Sequence, residues 1–222
     1  MFKNRKDAGE KLAGPLEKYR VENPLILAIP RGGVEVGLQV AKKLGADFSL
    51  IIARKLPFPD NPEAGFGAIA EDGSTYILGD AYYWLSEETI EKIKKQQITE
   101  IRRRINALRE GESLPEIKER TVILIDDGIA MGSTMRAAIG LCKNRKARKI
   151  VVAVPVAGRE VVEEIRRRVD EVIVLETPAY FRAVAEAYEN WYDVSDEEVL
   201  DLLRERIREK DMKDHSPDVL EA

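Results

Sequence analysis

Two adjacent carboxylates, Asp126 and Asp127, end the apolar run Val122-Ile123-Leu124-Ile125. Behind them comes a loop of mostly small residues, Gly128, Ile129, Ala130, Met131, Gly132, Ser133 and Thr134, and then the helical pattern Met135-Arg136-Ala137-Ala138-Ile139. Converging backbone N–H groups at a helix N-terminus favour an anion, so this stretch offers a phosphate cradle beside two acids. Alone, the acid pair also suits a metal site of the nucleotide-hydrolase type or a simple turn. The chain holds no GxxxxGK[ST] motif to support the hydrolase reading.

A second set of phosphate-compatible residues lies upstream. Pro30-Arg31-Gly32-Gly33 follows the apolar run 24–29. Gly32 and Gly33 permit close backbone approach, and Arg31 brings a guanidinium fork that matches phosphate oxygens. Arg54-Lys55 follows the next apolar run, 47–53. Near the last apolar run stand Tyr180 and Phe181, with Trp191 and Tyr192 beyond. These rings could stack on a flat ligand, or pack a C-terminal cap or dimer contact.

The elements that must carry these residues follow from pattern. Residues 7–20 have helical spacing broken at Gly14-Pro15. The run 24–29, a helix over 34–44 and the run 47–53 make a parallel βαβ unit. Three prolines and two glycines predict a long lid-like loop over 56–67. Glu71-Asp72-Gly73-Ser74 predicts a hairpin between 66–70 and 75–78. Ser86 caps a long helix reaching Gly111. After the central strand come a helix over 133–143, a strand over 149–154, a helix over 156–168 and a last strand over 171–175. A short aromatic helix over 181–188 and a helix from Ser195 to about Glu209 complete the domain, 1–209. Residues 210–222 read as a polar, disordered tail. Wholly apolar runs suit strands buried on both faces, and open α/β sheets bind ligands at the carboxyl ends of such strands. The predicted fold is α/β: a five-stranded, mostly parallel sheet with helices on both faces, a small hairpin and a C-terminal helical cap.

Composition removes several classes of function. The 222 residues carry a net charge of −4, with no general pull toward nucleic acid or anionic membrane. The basic runs IRRRINALRE and IRRRVDE hint at an RNA-binding regulator, but flanking glutamates make the first a solvated helix face. Cys142, the one cysteine, reads as a small buried residue. His215, the one histidine, stands in a polar stretch. A Ser-His or Cys-His catalytic pair and a zinc site are thereby disfavoured. No apolar run approaches the roughly 20 residues of a membrane span, and a cytoplasmic protein is expected.

The stretch VILIDDGIAMGST resembles the phosphoribosyl pyrophosphate (PRPP) signature of type I phosphoribosyltransferases, with one departure: Met131 replaces the usual threonine. IPRGG resembles that family's pyrophosphate loop, and Arg54-Lys55 its Arg-Lys pair. The order of elements matches along nearly the whole chain, closest to a branch of unassigned acceptor. The resemblance implies a Mg²⁺-dependent transferase that joins PRPP to a nitrogenous acceptor, a nucleobase, and releases pyrophosphate in nucleotide salvage. It implies catalytic roles for Arg31, Lys55, Asp126 and Asp127. Arg31, Gly32, Gly33, Arg54 and Lys55 would contact PRPP, as would Asp126 through Thr134, with Mg²⁺ held on PRPP by the two acids directly or through water. Asp127 could take part in proton transfer, residues 56–67 would be the closing loop, and Tyr180 and Phe181 are base-stacking candidates. Asp170-Glu171, where 6-oxopurine members carry a lysine, speaks weakly against hypoxanthine and guanine. A homodimer is expected. The alternative is a non-catalytic PRPP sensor of the same fold, motivated by Met131.

Overall fold

The computed structural model describes residues 1–214. Helix α1 (Arg5–Leu16) opens the fold, with Asn4 as its N-cap and Pro15 in its last turn. A 3₁₀ turn (Glu17–Glu22) leads to β1 (Leu25–Ala28), α2 (Gly33–Leu44) and β2 (Asp47–Leu50). Strands β3 (Ala53–Phe58), β4 (Asn61–Ala70) and β5 (Thr75–Ile77) follow, then the short helix α3 (Ala81–Trp84) and the long helix α4 (Glu87–Arg109). The second half alternates β6 (Thr121–Ile125), α5 (Ser133–Asn144), β7 (Lys149–Val156), α6 (Arg159–Arg166) and β8 (Glu171–Glu176). Helix α7 (Asp196–Asp214) ends the described chain. It runs past Glu209, where the sequence pattern ends it. The rest of the expected polar tail, with His215, lies outside the described residues.

The five strands β2-β1-β6-β7-β8 pair in parallel throughout. Their period-2 alternation divides the core. Leu25, Leu27, Val122, Leu124, Val152 and Val154 face α5 and α6, while Ile26, Ile123, Ile125 and Val151 face α1 and α2. Central strands with two buried faces explain why β1 and β6 read as unbroken apolar runs. Cys142 is buried as expected, and burial pushes its thiol up to about 12.

The largest correction concerns residues 51–78. The run 47–53 is not one buried strand. β2 is a partly exposed edge strand, and the chain crosses at Ile51-Ile52 into a second, antiparallel sheet of order β3-β4-β5. The expected loop over 56–67 is mostly the hairpin β3–β4, while the expected hairpin is its continuation β4–β5. Proline is tolerated here for positional reasons. Pro57 sits at a register shift in edge strand β3, and Pro62 lies beyond the reach of β5, which pairs with β4 only at 67–69. Smaller corrections follow downstream. β7 continues to Val156, α6 spans only Arg159–Arg166, and the expected aromatic helix is a 3₁₀ turn, Val184–Ala187.

Helix α4 covers the outer side of the antiparallel sheet, where Leu56, Phe66 and Ile69 meet Ile90, Ile93 and Ile101, and α7 packs on α2 and α4, adding Val199 to the same cluster. Among the described residues no helix is long and apolar enough to cross a membrane.

Candidate active site

A cavity of about 630 Å³ opens where β6 gives way to α5. Residues 128–135 form one wall; Lys55, Phe58, Glu63, Ala64, Gly65 and Leu78 form the other. Asp126 lines it as well, next to the loop. Its Oδ1 accepts the Asp127 amide at 2.9 Å. Burial, and then the neighbouring Asp127 charge, push the Asp126 carboxyl well above the usual carboxylate range.

Asp127 faces elsewhere. Arg5 Nε donates to Asp127 Oδ2 at 2.8 Å, with the two side chains 4% and 12% exposed. The same guanidinium donates from Nη1 to the Tyr192 carbonyl at 3.0 Å and lies 4.0 Å from the Trp191 ring centre. Tyr188 donates its hydroxyl to the Asp127 carbonyl at 2.6 Å. A Cβ on residue 32 would stand 1.8 Å from Asp127 Oδ2, so the carboxylate itself requires Gly32. Gly33 is required in turn, because a Cβ there would fall 2.9 Å from Asp126 Cα. Burial raises the Asp127 pKa while Arg5 opposes the rise. The two acids therefore divide. Asp126 lines the cavity while its side chain also bonds to Asp127, and Asp127 is a strut joining α1, the turn 30–33 and residues 188–192. The reading of Asp127 as a proton-transfer group does not fit this arrangement, since a guanidinium already engages its carboxylate away from the cavity.

The loop is braced from behind. The Ile129 amide donates to the Val156 carbonyl at 2.9 Å, so it is not an anion donor; this corrects the expectation that every amide of the loop serves. The amides leading into α5 belong to a helix first turn and lack intrahelical partners. Gly128 is fixed by packing, since a Cβ would meet Val184 Cγ1 at 2.6 Å. Met131 is 65% exposed at the cavity wall. Its carbonyl accepts Arg136 Nη1 at 2.5 Å. Arg136 is buried, donates through Nε and Nη2 to the two Glu164 oxygens, and stands 4.8 Å from the Tyr76 ring centre. Sequence reasoning missed Arg136 and Arg5. An arginine in an otherwise apolar helix turn was the signal for Arg136; Arg5 had none, because its partners lie 122 and 187 positions away.

Lys55 and Arg54 separate onto opposite faces of β3. Lys55 crosses Gly65 into the cavity wall and donates from Nζ to the Glu63 carbonyl at 2.6 Å. Arg54 points to α4 and donates from Nε to Gln97 Oε1 at 3.2 Å. Arg31 also lies outside the cavity lining, its Nη1 3.7 Å from Asp196 Oδ1. The stacking candidates do not reach the cavity. Tyr180 is 91% exposed, and Phe181 packs on the cluster of Phe2, Val156 and Tyr188. Val184 lines the cavity in their place.

A parallel sheet with an acid and a small-residue anion loop at the end of its central strand is the architecture of type I phosphoribosyltransferases. The chain belongs to that family: the model of the phosphoribosyl transferase domain matches residues 3–190. Among relatives, the Mycobacterium tuberculosis protein named "Putative phosphoribosyl transferase Rv0571c" is 37% identical over 205 residues, 91% of this chain and 46% of that protein. The chain thus spans about half the length of this curated relative. The crystal structure of TT1426 from Thermus thermophilus is similar with a TM-score of 0.78 and 36% identity, covering 92% of this chain and 98% of the other. Amidophosphoribosyltransferase of Haemophilus influenzae is 24% identical over 158 residues, 69% of this chain and 25% of that protein.

Proposed function

We propose that the protein transfers the phosphoribosyl group of PRPP to a nitrogenous acceptor, a nucleobase, in nucleotide salvage. The single observation that carries this reading is the cavity that joins the anion loop, the Asp126 carboxylate and the Lys55 wall. The 5′-phosphate is held by the amides of Ala130, Met131, Gly132, Ser133 and Thr134 and by the two hydroxyls. Asp126 accepts hydrogen bonds from the ribose hydroxyls. The C1–O bond to pyrophosphate breaks, the acceptor nitrogen forms the new C1–N bond and releases its proton to the departing pyrophosphate or to water, and Lys55 with the turn 30–33 takes up charge on the pyrophosphate. Asp127 acts indirectly, by fixing that turn.

Mg²⁺ fits this site as a partner of the substrate. Among the described residues no group of three metal-ligating side chains gathers, and the acidic residues lining the cavity are Asp126 and Glu63. Mg²⁺ commonly uses one or two carboxylates plus substrate phosphates and keeps several waters. When bound, it would neutralise the polyphosphate, with Asp126 reaching it directly or through water. Residues 1–209 act as one unit, in a homodimer in the cytoplasm.

The test is pyrophosphate release from PRPP, with and without Mg²⁺, across purine and pyrimidine bases, with Asp126→Asn as the blank. Release with one base and loss in the variant supports the reading. No PRPP binding and no release with any base would defeat it. The exposed Met131, which supplies no hydroxyl, favours one second reading, a PRPP sensor. Tight PRPP binding without turnover across the whole acceptor panel would select it.

A further inference from the structure

A second cavity, of about 640 Å³, shares no lining residue with the first. It opens where the free edge of β2 meets the end of α4 and one side of α7. Leu50, Leu108, Leu200 and Leu203 give it an apolar floor, with Phe48 and Pro115 beside them. The register of β2 decides what its edge offers. The Ile51 amide donates to the Ala28 carbonyl at 3.0 Å, so the amides of 49 and 51 face β1 and those of Phe48 and Leu50 face outward. The carbonyls of 46, 48 and 50 face outward with them. Arginines close two of these: Arg206 Nη2 donates to the Ala46 carbonyl at 2.9 Å and Arg109 Nη1 to the Leu50 carbonyl at 2.8 Å. The edge left between these plugs is too short to add a strand, which guards against edge-to-edge pairing. The Phe48 and Leu50 amides and the Phe48 carbonyl remain, without a partner among the described residues.

The two arginines differ in one respect. Arg109 is saturated, since it also donates to the Glu112 carbonyl and to both Glu71 oxygens. Arg206 is half-buried, stands 5.2 Å from the Phe48 ring centre and forms no ion pair with a described residue. Burial lowers its pKa, against the charges of Asp47 and Glu209. Those two acids are committed elsewhere, Asp47 to Arg120 at 2.7 Å and Glu209 to Lys42 at 2.7 Å. A half-buried guanidinium beside an apolar floor, without its own counter-ion, suits a carboxylate. Glu110 and Glu112 stand on the exposed rim and repel an anion of higher charge.

We infer that this cavity is a second ligand site, for a small molecule with one carboxylate and an apolar body. The carboxylate meets Arg206 and the Phe48 amide, the next outward group along the edge from the carbonyl that Arg206 already touches. The apolar body lies on the leucine floor, in a volume that suits a ligand of about drug size. The inference does not depend on phosphoribosyl transfer, because none of these residues lines the first cavity.

The experiment is calorimetric titration of the full chain with sodium octanoate, and with 1-octanol as the same body without the charge. Octanoate is expected to saturate with a Kd of about 1 mM or below. Octanol is expected to bind about tenfold more weakly. Arg206→Gln is expected to weaken octanoate binding about tenfold, with Arg206→Lys recovering part of it. Ser113→Trp fills the cavity from the exposed rim, outside the core, and is expected to abolish binding. Lys55→Gln, in the first cavity, is expected to leave octanoate binding unchanged. Thermal scans check that each variant folds. Failure of octanoate to saturate the wild type overturns the inference, as does equal affinity for octanol. Unchanged affinity in Ser113→Trp, or a loss confined to Lys55→Gln, overturns it as well. Each of these results leaves the phosphoribosyl-transfer reading standing, since that reading is tested by pyrophosphate release.

Discussion

Arg5→Met isolates the strut behind the acid pair. The substitution keeps a long side chain against Trp191 but removes the donor that meets Asp127 Oδ2 at 2.8 Å and the one that meets the Tyr192 carbonyl at 3.0 Å. With the partners 4% and 12% exposed, water does not replace what is lost. Leaving one member of a buried pair uncompensated costs about 3–5 kcal/mol. At about 2–4 °C per kcal/mol for a domain of this size, that is a fall of about 6–20 °C in Tm. The loss depends on pH in a definite direction. Arg5 is the group that holds the Asp127 pKa down against burial, so its removal raises that pKa further above the ordinary 3.8. A carboxyl whose folded pKa is raised favours the native state only while protonated, and that contribution fades as pH rises through the folded value. The damage from Arg5→Met is therefore smallest near pH 4 and full at neutral pH. Urea unfolding at both pH values measures it, and the double variant Arg5→Met/Asp127→Asn should recover about 2 kcal/mol or more at neutral pH by removing the orphaned charge. A neutral-pH loss below about 1 kcal/mol, or no recovery in the double variant, would refute the reasoning.

Three further outcomes are expected. Asp126→Asn raises Tm at neutral pH by at least about 2 °C while abolishing turnover; because the folded pKa of Asp126 lies above 3.8, the gain shrinks as pH falls toward that value, and equal gains at pH 4 and pH 7.5 in thermal scans count against the assignment. Met131→Thr adds one hydroxyl at the cavity wall and should tighten PRPP binding about two- to tenfold by calorimetry; unchanged affinity means the 5′-phosphate does not reach that position. Arg136→Met frees the Met131 carbonyl and should raise the KM for PRPP at least about tenfold with a smaller change in kcat. Arg136→Lys should restore only part, because an ammonium cannot span both Glu164 oxygens and the carbonyl; an unmoved KM in both variants rules the brace out.

What could be read beforehand was the part of the fold that depends on local pattern. The runs around Ile26 and Ile123 are apolar at every position because both sheet faces are covered, and that alone places Asp126 at a carboxyl end. The βαβ order and the capped start of α4 follow from equally local signals. The antiparallel sheet was hidden because proline and glycine content mimics a loop when the pairing partner is unknown. Pro57 is acceptable only because β3 is an edge, a fact about neighbours. The separation of Arg54 from Lys55 was in principle legible, since adjacent residues in any strand point oppositely. Treating them as a pair at a strand end concealed it. Arg5, Arg136 and Asp196 act through contacts that no short window contains, so the charges that fix the site emerged only with the three-dimensional arrangement.

The clamp on Asp127 also bears on how the molecule assembles. Its members come from residue 5, from the end of the central strand and from residues 188–192, so it closes only after both flanking segments have docked on a finished sheet. A chain caught with its parallel strands formed but either segment loose holds a buried acid without a partner and a turn 30–33 without a support. Such a species is held back twice, by an energetic penalty and by an incomplete cavity. The turn 30–33, and with it the Asp126 side of the cavity, thus depends on two segments far apart in the chain being docked together.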